Sequence, residues 1–206
     1  MDTLIEHGIA ERTFVGEHVS GDRALIKPFT DGVLVAAIDG LGHGEAAATP
    51  ARIAASTLEH YAEDEPPVLV ERCHRALKGT RGAAMSLASI NARKGMMTWL
   101  GVGNVDGLVL HIFATPPSRE SLLTRSGVVG YQLPPLRVYR LYVTAGDLLI
   151  FTTDGISSNY TSLLPASDPL LRHQPAQEIA DRLLTRFAKT TDDALALVIR
   201  YLGPAS

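Results

Sequence analysis

One cysteine, Cys73, occurs in a chain of 206 residues. An intramolecular disulfide is therefore excluded, and the composition suits a reducing compartment such as the cytoplasm. Cys73 falls on the apolar stripe of an expected helix and reads as a small core residue. Positive charge is not in excess: 19 Lys and Arg stand against 22 Asp and Glu, a net charge of −3. That balance lacks the basic footprint of a nucleic-acid-binding surface. Every apolar run is too short to span a bilayer. Met1-Asp2-Thr3-Leu4-Ile5-Glu6 lacks the basic-then-apolar pattern of a signal peptide. The 7 histidines, at 7, 18, 43, 60, 74, 111 and 173, show no paired zinc spacing. No repeat, low-complexity tract or Gly/Ser linker divides the chain, and residues 1–206 are expected to form a single domain.

What the chain does have is a set of aspartates at the edges of apolar, strand-like runs. They lie in Ser20-Gly21-Asp22, Ile38-Asp39-Gly40-Leu41-Gly42-His43-Gly44, Phe151-Thr152-Thr153-Asp154-Gly155 and Thr191-Asp192-Asp193-Ala194. Carboxylates gathered from several strand ends make a hard-oxygen site for Mg²⁺ or Mn²⁺. Such a site can activate water for attack on phosphorus.

The segments around these acids read as an α+β chain. Residues 24–29 and 33–38 are β-like and flank Thr30-Asp31-Gly32, a strong hairpin signal. The hairpin puts Asp22 and Asp39 at the same end of two neighbouring strands. Thr49-Pro50 predicts a helix start, with Ile53, Thr57, Leu58 and Tyr61 on one face. Pro66 begins a second helix whose buried stripe is Val70, Cys73, Ala76 and Leu77. Strands are expected over 83–90, 96–101, 108–113, 121–124, 138–143 and 147–152. Pro175 opens a helix with Ile179, Leu183 and Phe187 in line. Residues 194–201 form a wholly apolar strand, as in a sheet centre. Two helices in succession between hairpins argue against a parallel βαβ sheet. Two antiparallel sheets with helices outside satisfy the order, as does a single-sheet arrangement.

Each acid has a plainer alternative as a turn residue. Asp39 is the strongest candidate: it ends a buried run, and the glycines after it let backbone approach a ligand. Asp154 repeats the pattern. Asp192 and Asp193 are adjacent, so an extended backbone sends them to opposite sides; Asp192 is taken as the one facing the site. Asp22 alone is weak. His43 could protonate a leaving alkoxide or simply sit at a helix start. Arg81 could hold a phosphate, though a solvated loop arginine is the commoner case. Asn104 reads as a turn residue whose amide could reach the site. Asp31, Asp106 and Asp147 sit in turn contexts.

Taken together, several segments resemble the metal-dependent type 2C protein phosphatases, above all their small bacterial branch that includes SpoIIE and the stressosome feedback phosphatases. Besides the aspartate motifs, these are Glu71-Arg72-Cys73-His74 with 78–83, then 86–90 and Val102-Gly103-Asn104-Val105. The resemblance implies an αββα four-layer sandwich, two antiparallel sheets flanked by helices. It implies two Mn²⁺ or Mg²⁺ ions, Asp39 bridging them, with Gly40 giving its carbonyl, Asp154 and Asp192 on one ion and Asp22 beside the other. The implied substrate is phosphoserine or phosphothreonine on a STAS-domain stressosome or anti-anti-sigma protein. A catalytically weak phosphoprotein-binding relative is the alternative. Three departures stand out. Gly21 replaces an acid of the larger members. Asn104 stands where they carry aspartate. Leu41 follows Asp-Gly where they have histidine, with His43 two places later.

Overall fold

A two-residue turn at Thr30-Asp31 joins β2 (Asp22–Phe29) to β3 (Gly32–Gly40) and pairs Phe29 with Gly32. From there the register runs back without a bulge until Asp22 lies opposite Asp39. The computed structural model describes residues 4–204. The first three residues of the N-terminal segment considered above lie outside them.

The remaining elements are β1 (Ile5–Arg12), α1 (Glu45–His60), α2 (Pro66–Ala76), β4 (Ala83–Asn91), β5 (Met96–Val102), β6 (Asp106–His111), β7 (Ser118–Leu122), β8 (Tyr139–Tyr142), β9 (Leu148–Thr152), α3 (Ala176–Phe187) and β10 (Ala194–Tyr201). Short 3₁₀ turns at Ser158–Leu163 and Pro169–Arg172 precede α3. The strands form two five-stranded sheets, β1-β10-β9-β6-β7 and β2-β3-β4-β5-β8, whose strand pairs are all antiparallel.

Side-chain alternation along the central strands produces three apolar layers. On β3, Val33, Val35 and Ala37 face the other sheet, where they meet Leu149, Phe151, Leu195, Leu197 and Ile199. Its other face carries Leu34, Ala36 and Ile38, packed on Ala51, Ala54 and Leu58 of α1 and Leu69 and Cys73 of α2. On β10, Ala194, Ala196 and Val198 pack on Ile179, Ala180 and Leu183 of α3. Helices therefore cover the outer face of each sheet, and the four layers are helix, sheet, sheet, helix. This is the expected αββα sandwich. Every residue of β10 is buried, in keeping with its interior place in its sheet. Truncating Leu197 to Ala would cost about 2–5 kcal/mol through lost burial and the cavity left behind.

Several local expectations need correction. The first helix begins at Glu45, capped by Gly44, and Pro50 lies inside it. Its buried stripe is Ala47, Ala48, Ala51, Ala54 and Leu58, and Tyr61 is exposed. Small side chains on that stripe let the helix settle close to β3, a packing demand that helix-start signals do not carry. On α2 Ala76 is exposed and Leu69 takes its place in the core. Strand β1 escaped the sequence reading, because Ile5–Arg12 is largely polar and its partner β10 lies at the far end of the chain. Its free edge is partly covered: Gln177 of α3 accepts from the Ile9 N–H and donates to the Ile9 carbonyl. Gly8 allows this approach, since a Cβ there would fall 2.4 Å from the Ala176 backbone. Cys73 is buried as expected, and burial pushes its thiol up to about 12.

Candidate metal centre and active site

The acids converge where the two sheets end side by side. Asp22 and Asp39 come from the open end of the β2–β3 hairpin, Asp154 from the turn after β9, and Asp192 from the approach to β10. Thr153 ties the sheets together at this point. Its hydroxyl donates to Asp22 at 2.6 Å and accepts from the Leu195 N–H at 2.9 Å. One buried hydroxyl thus fixes an acid of one sheet to the backbone of the other.

Asp192 and Asp193 make different contacts, in a bend that leads into β10. Asp193 is 3% exposed and accepts the Phe14 N–H at 2.7 Å and the Gly21 N–H at 2.8 Å. Both its oxygens hold the segment between β1 and β2. Asp192 is more open, with one oxygen on the Asp193 N–H at 2.9 Å. Both Asp193 oxygens are thus occupied, and Asp192 is the less buried of the two.

The electrostatics show how crowded the cluster is. The Asp39 carboxyl is raised from its ordinary 3.8 to about 7, chiefly by burial and then by the charges of Asp154 and Asp192. Asp22 is pushed well above its ordinary value, by burial first and then by Asp39. Asp192 is raised by burial and by Asp154, with His43 opposing. Like charges in a shared, poorly hydrated space cannot all ionise freely. A cation placed among them would relieve both terms.

The donor set fits a hard divalent ion, being carboxylate and carbonyl oxygen. Among the described residues no three carboxylate, imidazole or thiol groups stand close enough to enclose a cation as they are. Three of the acids have an oxygen in a hydrogen bond. Asp22 is turned to Thr153, Asp192 to the Asp193 N–H, and Asp154 accepts from the Asn104 amide at 2.6 Å.

Gly21 explains one departure from the larger phosphatases. A Cβ there would lie 2.7 Å from the Ala47 methyl and 3.2 Å from the Gly40 carbonyl oxygen. A side chain there would force a neighbour to shift. Gly40 itself is pressed against α1, where a Cβ would sit 1.9 Å from the Ala47 carbonyl.

Several neighbours were underrated or missed in the sequence. Asn104 does more than shape a turn, since its amide reaches Asp154 and also lowers the Asp39 carboxyl. Asp106 sits near enough to Asp154 and Lys189 to feel both, and burial raises it. Lys189 donates to the Asp154 carbonyl at 2.6 Å. Glu17 pairs with His43 Nδ1 at 2.6 Å, and Phe14 packs against the same ring with centroids 5.3 Å apart. No motif in the 13–19 segment announced this; only its position ahead of Gly21-Asp22 could have done so. Arg81 is exposed, as a loop arginine would be, but its guanidinium lies against Gly42 beside the cluster.

Residues 30–202 match the family model for Stage II sporulation protein E (SpoIIE). The chain is 28% identical over 180 residues to the phosphoserine phosphatase RsbX of Bacillus subtilis (strain 168), covering 86% of this chain and 85% of that protein. Its structure is similar to a chain solved in work on the bacterial stressosome as a modular system adapted to control secondary messenger signalling. That similarity has a TM-score of 0.85 at 30% identity and covers 95% of this chain and 99% of the other. It is also similar in fold to RsbX in complex with magnesium, with a TM-score of 0.82, 22% identity, and 97% and 96% covered.

Proposed function

From the premise that the chain belongs to the SpoIIE family of metal-dependent serine/threonine protein phosphatases, we propose that it removes phosphate from a STAS-domain protein. The substrate would be phosphoserine or phosphothreonine on a stressosome or anti-anti-sigma protein, and its dephosphorylation would reset a bacterial stress response. Similarity to RsbX and to the chain solved in work on the bacterial stressosome supports this setting, and the proposed location is the cytoplasm. Among the described residues no helix is long and apolar enough to cross a membrane. One phosphatase domain would occupy residues 1–206.

The carrying observation is the convergence of Asp22, Asp39, Asp154 and Asp192 from both sheets, with Asp39 raised to about 7 by burial and by its acidic neighbours. Asp39, the Gly40 carbonyl, Asp154, Asp192 and Asp22 are the groups that would hold two Mn²⁺ or Mg²⁺ ions. When bound, such ions supply water activation at neutral pH and polarise the phosphoryl oxygens. The chain's own contribution is positional. Thr153 and Asn104 hold Asp22 and Asp154 until the acids are needed, and Asp193 fixes the Gly21 backbone beneath them. Glu17 orients His43 through Nδ1. In the imidazolium form Nε2–H is then the group that can hand a proton to the departing seryl or threonyl oxygen.

The test is phosphate release from a phosphorylated STAS-domain protein with Mn²⁺, with Mg²⁺ and with EDTA, beside Asp39→Asn. Metal-dependent release that disappears in the variant is the expected result. Tight Mn²⁺ binding with no release would instead identify a phosphoprotein-binding relative that does not turn over.

A further inference from the structure

We propose that Arg81 is the residue that grips the substrate's phosphoryl group at the rim of the acidic cluster. The inference rests on the phosphatase reading above and adds a substrate-binding residue to it.

Two of the cationic side chains named around the cluster are committed. His43 is paired with Glu17, and Lys189 is spent on the Asp154 carbonyl. Arg81 makes no ion pair among the described residues. Its side chain is exposed. It lies over Gly42, where a Cβ would come within 2.6 Å of Nη1 and 3.8 Å of Cζ. Gly42 has φ +98, so glycine serves twice here: it adopts the left-handed turn and leaves room for the guanidinium.

The backbone under Arg81 is tied down on three sides. The Thr80 hydroxyl donates to the Leu77 carbonyl at 2.7 Å and accepts the Gly82 N–H at 3.0 Å. The Gly82 carbonyl accepts the Leu41 N–H at 3.1 Å, which binds this loop directly to the loop that follows Asp39. Ala83 then exchanges both backbone hydrogen bonds with Val129. A long side chain on a fixed stem loses less freedom when it closes on a ligand.

The chemistry calls for such a group. A phosphate monoester carries up to two negative charges and approaches a site built from four carboxylates. A planar fork of N–H donors matches two phosphoryl oxygens at once, and it stays charged at every working pH. Lying over Gly42, three residues beyond Asp39, the Arg81 fork can hold the phosphoryl group without competing for the acids.

The experiment compares wild type, Arg81→Ala and Arg81→Lys as full chains with saturating Mn²⁺. The readouts are KM and kcat for a phosphoseryl peptide, and the affinity for inorganic phosphate by calorimetry. Arg81→Ala is expected to weaken phosphate binding and raise KM by about tenfold to a hundredfold, the range for a lost charge-assisted hydrogen bond pair. Melting temperature and the Mn²⁺-induced shift in it should stay at wild-type values. Arg81→Lys should recover part of the loss, because it keeps the charge but not the fork. Phosphate affinity and KM within twofold of wild type in Arg81→Ala would overturn the assignment. A wild type that binds phosphate but never hydrolyses the peptide would sink the phosphatase reading alone, and the calorimetric comparison would still decide Arg81.

Discussion

Asp22 and Asp39 are cross-strand partners, paired residue to residue at the open end of the β2–β3 hairpin. Like charges directly opposite one another destabilise a sheet. Here the pair is kept at the cost of raising both carboxyls well above their ordinary values. Such a placement suits a site whose acids are meant to share positive charge.

Asp39→Asn should lose phosphatase activity by at least about a thousandfold, as expected when a group central to the chemistry is removed. The fold should survive, because the substitution is isosteric and relieves repulsion. Circular dichroism and phosphate release measured side by side check both halves; turnover retained in a folded variant would remove Asp39 from its central place.

Without divalent cations, stability should fall as pH rises from about 4 to about 7. In that window folded Asp39 keeps a proton that the unfolded chain has already released, since its carboxyl stands at about 7 against an ordinary 3.8. The folded state therefore binds more protons, and each step up in pH works against it. Thermal melts in EDTA across this range should show the decline, and Asp39→Asn should flatten it. Added Mn²⁺ should raise the melting temperature most at the upper end, where the acids are ionised.

Asp192→Asn and Asp193→Asn should fail in different ways. The first should cost activity with little change in stability. The second places an amide group where two backbone N–H groups need acceptors. One of them is left unsatisfied, at about 1–3 kcal/mol. Denaturant titrations and kinetics on both variants separate the roles; the opposite ranking in activity would show that Asp193 is the acid in the site.

His43→Ala should reduce turnover by less than about a hundredfold, as for a helpful but dispensable proton donor. A larger loss, confined to substrates with poor leaving groups, would make His43 essential as an acid. Glu17→Gln should then lower turnover in the same direction, since Glu17 is the partner that orients the ring through Nδ1.

Gly21→Glu should not create an additional metal ligand. A Cβ at this position meets the Ala47 methyl at 2.7 Å, so the hairpin or α1 must shift. Overpacking of this kind typically costs about 1–3 kcal/mol. A lower melting temperature with no gain in Mn²⁺ affinity is the expected outcome; tighter Mn²⁺ binding at unchanged stability would refute the steric account.

Much of the fold was legible because its signals are local. Thr30-Asp31-Gly32 between β-like runs marks a hairpin, and that hairpin alone brings Asp22 to Asp39. The apolar 194–201 run marks an interior strand. What stayed hidden depends on partners distant in sequence. Strand β1 is polar enough to pass for a loop until β10 pairs with it. The start of α1 at Glu45 follows from alanines packing on β3, while Pro50 pointed elsewhere.

The candidate site divides along the same line. The residue types fixed its chemistry: aspartates at strand ends, glycines beside them, and no cysteine suited to be a nucleophile. For the adjacent pair Asp192-Asp193, alternation along an extended chain sets the expectation that only one faces the site. Only the tertiary structure decided which neighbours act on these acids. Thr153 reaches Asp22, Asn104 reaches Asp154, Glu17 reaches His43, and Arg81 lies over Gly42. These contacts join loops from both sheets, and their geometry exists only once the sheets have packed face to face.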